Sequence, residues 1–448
     1  MTLVRKSMEV FAGRWLLFPL NLLMSVIVIR IIGAEGKGIL VLLMATVSIL
    51  ATIGNLGAPA AAIYYLRKGV HNQRTLIANF LVLTTIFSLL VWSLFFLHGE
   101  WFIRLFLKSV SVSSKLIWLA FFSLPITMLT SFISAIQLGA GLSRFYNQLI
   151  LSTALINIVA TFLLIVVFPF GVTGAVVANI LALAIPLGMA LRQVIKGTRG
   201  CTWKISWGTQ LSLLHYGIRH YPATISSMTF NRAGNFILAY FVGIQAVGYY
   251  SVAVTVYNAV LSIPRAVNTL LTGEAAALEK SKSALLVAKS TRNILMVMLC
   301  ATIILTVISP WIVPVLYGAD FVRAVTPLII LLIAGLLVGI YATIQTYFSG
   351  INRPGLNSTF SIVSCTISII LALVIVPVAG ITGMAIAFLL AQFVAFLLFL
   401  FWFWRVTGIP IRSVLLLTRQ DIEGWRWRIM SGIQSVYLKL KTAIGDFK

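Results

Sequence analysis

Apolar runs of twenty residues or more recur from one end of this chain to the other, each long enough to cross a hydrocarbon layer about 30 Å thick. In lipid no water is present to satisfy a free N–H or C=O, so a spanning segment is a helix or part of a closed barrel. Barrel strands alternate polar and apolar residues, and nothing here alternates. Sixty per cent of the residues are hydrophobic and nine per cent charged, against roughly a quarter charged in soluble domains. The expected fold is an all-α polytopic membrane protein. The first run, 11–32, is too long for a cleaved signal and lacks a small-residue cleavage site. Twelve transmembrane helices are expected, at 11–32, 38–66, 76–98, 116–138, 149–169, 172–191, 217–241, 247–272, 292–313, 325–349, 357–377 and 381–404.

The basic residues orient those spans. Twenty-four of the 33 fall on the side shared by both termini, five on the other side (Lys37, Arg104, Lys108, Lys115 and Arg323), and four within spans. Positive loops mark the cytoplasm, which places both termini on the cytoplasmic side of the membrane. The net charge of +24 is spread over loops that face anionic membrane lipids, so no nucleic-acid partner is expected.

A second regularity divides the chain. The pair Gly33/Gly38 recurs as Gly243/Gly248, a shift of 210; Gly171/Gly174 recurs as Gly380/Gly383, and Gly139 as Gly350. One nearly constant offset implies an internal duplication with six spans per copy. An even number of spans gives both copies the same orientation, hence two parallel-oriented six-helix lobes around a central cavity. The expected organisation is an N-terminal lobe (1–191), a cytoplasmic interfacial connector (192–216), a C-terminal lobe (217–404) and a basic amphipathic tail (405–448) on the cytoplasmic leaflet.

Polar residues inside the spans are the candidates for function. Span 8 carries Ser251, Thr255, Asn258, Ser262, Arg265, Thr269 and Thr272 in steps of three and four, which keeps them on one face. Span 2 carries Ser48, Thr52 and Asn55; span 1 carries Arg14, Asn21 and Ser25; span 7 carries Arg232 and Asn235. Serine and threonine stripes also glue helices together, and the stripe on span 4 reads that way as readily as any other. An arginine at mid-membrane costs roughly 2.5–3.5 kcal/mol and needs a partner, water or an exit by snorkelling. Arg30 lies near an outer end, within reach of Glu35, and reads as structural; Arg14 can snorkel to the cytoplasmic face. Arg232 and Arg265 point to a water-filled cavity. None of the nine acids falls within a span. A cavity lined by Arg232, Arg265, Arg14, Asn235, Asn258, Asn55, Asn21, Ser262, Thr255 and Thr52 suits a polyhydroxylated anion, because guanidinium grips phosphate as a fork and amides match sugar hydroxyls.

Enzyme signatures are missing. Cys201, Cys300 and Cys365 are far apart, and the four histidines are scattered, so neither a metal site nor a cofactor is expected. There is no phosphate-binding glycine loop and no paired carboxylate, hence no catalytic residue.

The segments "RIIGAEGKG", "YGIRHYP", "RAGNFILAYFVGIQAVGYYSVA" and "IPRAVNTLL" resemble the polysaccharide flippases, Wzx type, of the multidrug/oligosaccharidyl-lipid/polysaccharide exporter superfamily. The resemblance implies two six-helix lobes, a cavity lined by helices 1, 2, 7 and 8, and alternating access. The implied substrate is an undecaprenyl-diphosphate-linked oligosaccharide repeat unit of O-antigen or capsule. It is moved from the cytoplasmic to the periplasmic leaflet, with a polysaccharide polymerase and a chain-length regulator as implied partners. Such sequences often carry an acid beside the span 7 arginine; Asn235 stands here, which weakens a case for ion coupling. A multidrug exporter of the same superfamily is the nearest alternative, but cationic cargo calls for intramembrane carboxylates. A membrane polymerase or ligase acting on the same glycolipid is the other, but the longest outer loop, about 99–115, is short for one.

Overall fold

The computed structural model describes residues 2–106, 113–198, 203–351 and 354–416, with the side chains of 2–21, 99–106, 219–220, 222–227, 229–231, 270, 276 and 354 outside that description. No strand occurs among them. The order is α1 (Thr2–Asn55), α2 (Ala58–Arg67), α3 (Gln73–Phe106), α4 (Ser114–Gly139), α5 (Ser143–Thr161) with a π-helical turn (Phe162–Val167), and α6 (Gly171–Gly197). It continues with α7 (Trp207–Phe241), α8 (Ile244–Ala277), α9 (Lys280–Tyr317), a 3₁₀ turn (Ala319–Ala324), α10 (Val325–Gly350), α11 (Pro354–Thr407) and α12 (Ile411–Leu415).

The described residues hold nine stretches long and apolar enough to cross a membrane, where twelve were expected. Expected spans 11 and 12 form one helix, α11, broken only where Gly380 takes φ 56°. Expected span 7 is α7, whose apolar run is diluted by Asn231, Arg232 and Asn235. Much of expected span 1 lies in residues 2–21, whose side chains are outside the description; its helix runs on into span 2 through a break at Gly33, φ 68°. The connector expected at 192–216 is narrower, because α6 continues to Gly197 and α7 starts at Trp207. Asn79 of α3 pins what remains, donating to the Lys204 carbonyl at 2.7 Å and accepting from the Ser206 N–H at 2.9 Å. The expected amphipathic helix of the tail falls at 417–448, outside the described residues.

The repeated glycines repeat their conformations. Gly171 and Gly380, at φ 55° and 56°, both open the last long helical segment of their half. More telling is how the halves meet. A Cβ on Gly38 would lie 2.2 Å from the Ile244 carbonyl oxygen, and one on Gly248 would lie 1.9 Å from that of Ala34. Ala34 and Ile244 are themselves 210 apart, so each copy's glycine receives the other copy's carbonyl. That reciprocity is what a twofold arrangement of like surfaces requires. Only glycine allows backbones this close. A second seam forms where Gly57 and Gly217 meet, each Cβ position 2.3 Å from a carbonyl of the other strand of chain (Gly217 and Leu56). The nineteen residues from Gly38 to Gly57 span about 28 Å of helix, close to the hydrocarbon thickness. The two seams therefore lie at opposite ends of the helical bundle, with room between them.

Packing follows the lipid environment. Phe80 and Phe132 stack inside at 3.8 Å between centroids, whereas Phe96, Trp311 and Val378 face outward, as a lipid-facing belt requires.

Gly248→Ala is expected to force the seam apart at a cost of about 1–3 kcal/mol. Its melting temperature in detergent falls by several degrees. Gly188→Ala, where a Cβ meets nothing within 4 Å, is neutral or stabilising.

Candidate functional site

Between the two seams lies a cavity of about 230 Å³, lined by α1, α7, α8, α10 and α11. Its polar lining is Lys37, Arg232, Asn235, Ser251, Thr255, Asn258 and Arg265, with Tyr250 and Tyr257; among the described residues no carboxylate lines it. The α8 residues come together because Ser251, Thr255 and Asn258 step by four and three. Ser251 donates to the Gly248 carbonyl at 2.7 Å and Thr255 to that of Ser251 at 2.8 Å, which leaves each hydroxyl oxygen able to accept. Asn258 donates to the Val254 carbonyl at 3.0 Å and accepts from the Arg265 guanidinium at 3.3 Å. That bond draws the Arg265 charge two turns up α8. Among the described residues, Arg232 and Asn235 make no hydrogen bond, so their donors are free to meet a ligand.

Five of the ten candidates read from the sequence thus share one space: Arg232, Arg265, Asn235, Asn258 and Thr255. Three do not. Asn55 donates to the Ser131 hydroxyl of α4 at 2.9 Å, Thr52 to the Ser48 carbonyl at 2.9 Å and Ser262 to the Ala259 carbonyl at 2.6 Å. Asn55 ends α1 beside α4, which turns its amide into the N-terminal half. The side chains of Arg14 and Asn21 lie outside the described residues.

Lys37 is a correction. The glycines around it suggested an outer loop, but α1 resumes immediately after Gly33 and carries Lys37 on its cavity side. Tyr250 and Tyr257 were also missed, since a tyrosine in an apolar run looks like core. The duplication itself held a signal for Lys37: at a shift of 210 it falls opposite Val247.

Side chains reinforce each seam. Arg30 reaches the last turn of α9, not Glu35, donating from Nε to the Leu316 carbonyl at 2.7 Å and from Nη2 to that of Val315. Last-turn carbonyls lack helical partners and carry the negative end of the helix dipole, which suits a cation. At the other seam Tyr64 of α2 stacks on Tyr216 of α7 at 4.3 Å, Tyr65 donates to the Ser212 carbonyl at 3.3 Å, and Tyr221 to that of Ile53 at 3.2 Å. Partial burial beside this cluster lowers the His71 imidazole below its ordinary pKa, favouring the neutral ring.

A family model described as polysaccharide biosynthesis protein matches residues 3–272, well over half of the chain. The chain belongs to that family. The matched region takes in α1 to α7 and most of α8, including every cation of the cavity. No curated protein matches the chain. Among solved structures, the lipid II flippase MurJ in an inward closed conformation is similar over 91% of this chain and 89% of its own, at 16% identity and a TM-score of 0.77. A multidrug resistance MATE family transporter of the MOP superfamily, inward-facing, is similar over 87% and 94%, at 15% identity and TM-score 0.69. An outward-facing one is similar over 90% and 95%, at 15% and 0.63. These likenesses show the fold, which the family member shares with flippases and exporters rather than with enzymes.

Asn55→Ala is expected to cost about 0.6–1 kcal/mol of stability while surface polysaccharide per molecule stays within twofold of wild type. Asn258→Ala frees Arg265 from its hold and lowers the same readout at least fivefold. Quantitative blotting for protein and polysaccharide in matched cells measures both.

Proposed function

We propose that this protein is a flippase that carries an undecaprenyl-diphosphate-linked oligosaccharide from the cytoplasmic to the periplasmic leaflet for O-antigen or capsule synthesis. The observation that carries the reading is a cavity between the two seams with three cations, amides and hydroxyls and, among the described residues, no carboxylate. An unpaired arginine at this depth costs roughly 2.5–3.5 kcal/mol. Charge-assisted, two-pronged hydrogen bonds to a diphosphate offset that cost. The hydroxyl oxygens of Ser251 and Thr255, which remain able to accept, and the amide of Asn235 match sugar hydroxyls.

The cycle uses no covalent chemistry. With the Gly57–Gly217 seam open, Arg265 and Arg232 draw in the diphosphate from the cytoplasmic side. Closure of that seam through Tyr64 and Tyr216 is followed by opening of the Gly38–Gly248 seam, where Arg30 releases the α9 carbonyls. The sugar crosses in water, and the polyprenyl tail stays in lipid beside the helices. A multidrug exporter shares the fold, but among the described residues the lining offers a cationic drug no anionic partner. Both termini are cytoplasmic in this reading, which puts the sugar within reach of a polymerase and a chain-length regulator after transfer.

The test is export in cells carrying Arg232→Ala or Arg232→Lys at wild-type protein levels. Arg232→Ala is expected to reduce surface polysaccharide at least tenfold while lipid-linked repeat units accumulate inside, and Arg232→Lys to restore part of it. Normal export by Arg232→Ala would sink the reading.

A further inference from the structure

Arg232 and Arg265 both belong to the C-terminal half, as does most of the cavity lining; among the described residues only Lys37 and Val41 come from the N-terminal half. We propose that Lys37 is a second station for the diphosphate head, beside the Gly38–Gly248 seam, that takes the head over from Arg232 and so bridges the two halves before the seam opens. The proposal rests on the flippase reading above.

Position comes first. Lys37 immediately precedes Gly38, whose backbone touches the Ile244 carbonyl. Arg232 lies eleven residues before Gly243, about 16 Å along α7 from that end. Arg265 is seventeen residues beyond Gly248, about 26 Å along α8, with its guanidinium drawn back toward Asn258. The three cations therefore form a staircase from one seam toward the other, and Lys37 is its last step.

The duplicated fold supplies its own control. The position equivalent to Lys37 is Val247, fully buried one residue before Gly248 in a turn of the same design. The same turn and the same glycine contact thus form around an apolar side chain. The fold has no need of a cation at this place. An ammonium set against apolar helices is costly unless it is paired, and among the described residues Lys37 has neither an acidic partner nor a hydrogen bond. A bound anion would pair with it.

The residue type fits a release step. Arginine's rigid fork holds phosphate in two-point contact, whereas lysine is a point charge on a flexible stem that follows a moving group and lets go more easily. A head held by Lys37 and Arg232 together ties α1 to α7. Departure from Arg232 then leaves it on the half that must separate.

Lys37→Val, Lys37→Arg and Arg232→Ala are compared with wild type as full chains, by binding of purified protein to undecaprenyl diphosphate and by polysaccharide export at matched levels. Lys37→Val copies the other half's residue and is expected to melt no lower than wild type, bind the probe within tenfold, and export at least tenfold less. Lys37→Arg is expected to recover a third or more of export. The proposal is overturned if Lys37→Val exports normally, if it melts several degrees lower, or if Lys37→Arg exports no better than Lys37→Val. In each of those cases Arg232→Ala still binds and exports poorly. Wild-type binding and export by Arg232→Ala instead overturn the flippase reading, and the proposal with it.

Discussion

Two glycines and two carbonyls hold the arrangement of this molecule. Where α1 meets α8, Gly38 accepts the Ile244 carbonyl against its α-carbon, and Gly248 does the same for Ala34. Side chains cannot stand between the halves there, so the contact has little slack and a single preferred register. Such tight packing is bistable rather than compliant: the seam is either made or parted. Everything below it, including the cavity and the second seam at Gly57 and Gly217, takes its position from that meeting point.

The copies share a scaffold and differ in chemistry. Glycines at the breaks and at the close approaches recur at nearly one offset, because backbone geometry tolerates no other residue there. The cations do not recur. Arg232, Arg265 and Lys37 fall opposite Leu22, Asn55 and Val247. Symmetry accounts for how the helices sit, and the departures from symmetry coincide with the cations of the cavity. Arg30 belongs with these departures, since its clasp on the α9 carbonyls is matched by Tyr240 in the other copy.

Both seams are made in this structure, and the cavity lies between them with Asn258 and Arg265 still exposed. They are made differently. One is backbone against backbone with an arginine clasp, and the other combines a glycine contact with stacked tyrosines and hydroxyl-to-carbonyl bonds. Aromatic stacks and single hydrogen bonds at a partly exposed end contribute about 0.5–1.5 kcal/mol each. The tyrosine seam is thus held by several small contacts in addition to its glycine fit.

By itself the sequence determined the class and the repeat. Long apolar runs leave only helices in lipid, and glycine spacing survives because a side chain at those points would collide with backbone. It also disclosed Arg232, Arg265, Asn235, Asn258 and Thr255, since periodicity on one helix reveals a common face. What it could not settle was which faces look at each other. Asn55 and Thr52 share the rhythm of α8's stripe, yet the end of α1 packs on α4 and turns Asn55 toward Ser131. Lys37 read as a loop residue because glycines on both sides suggest a turn. Only the tertiary structure, by restarting the helix directly after the break at Gly33 and laying it against α8, brought that lysine into the cavity. Helical periodicity is a property of one segment, whereas a cavity is a property of five, and their relative rotation is decided by packing alone.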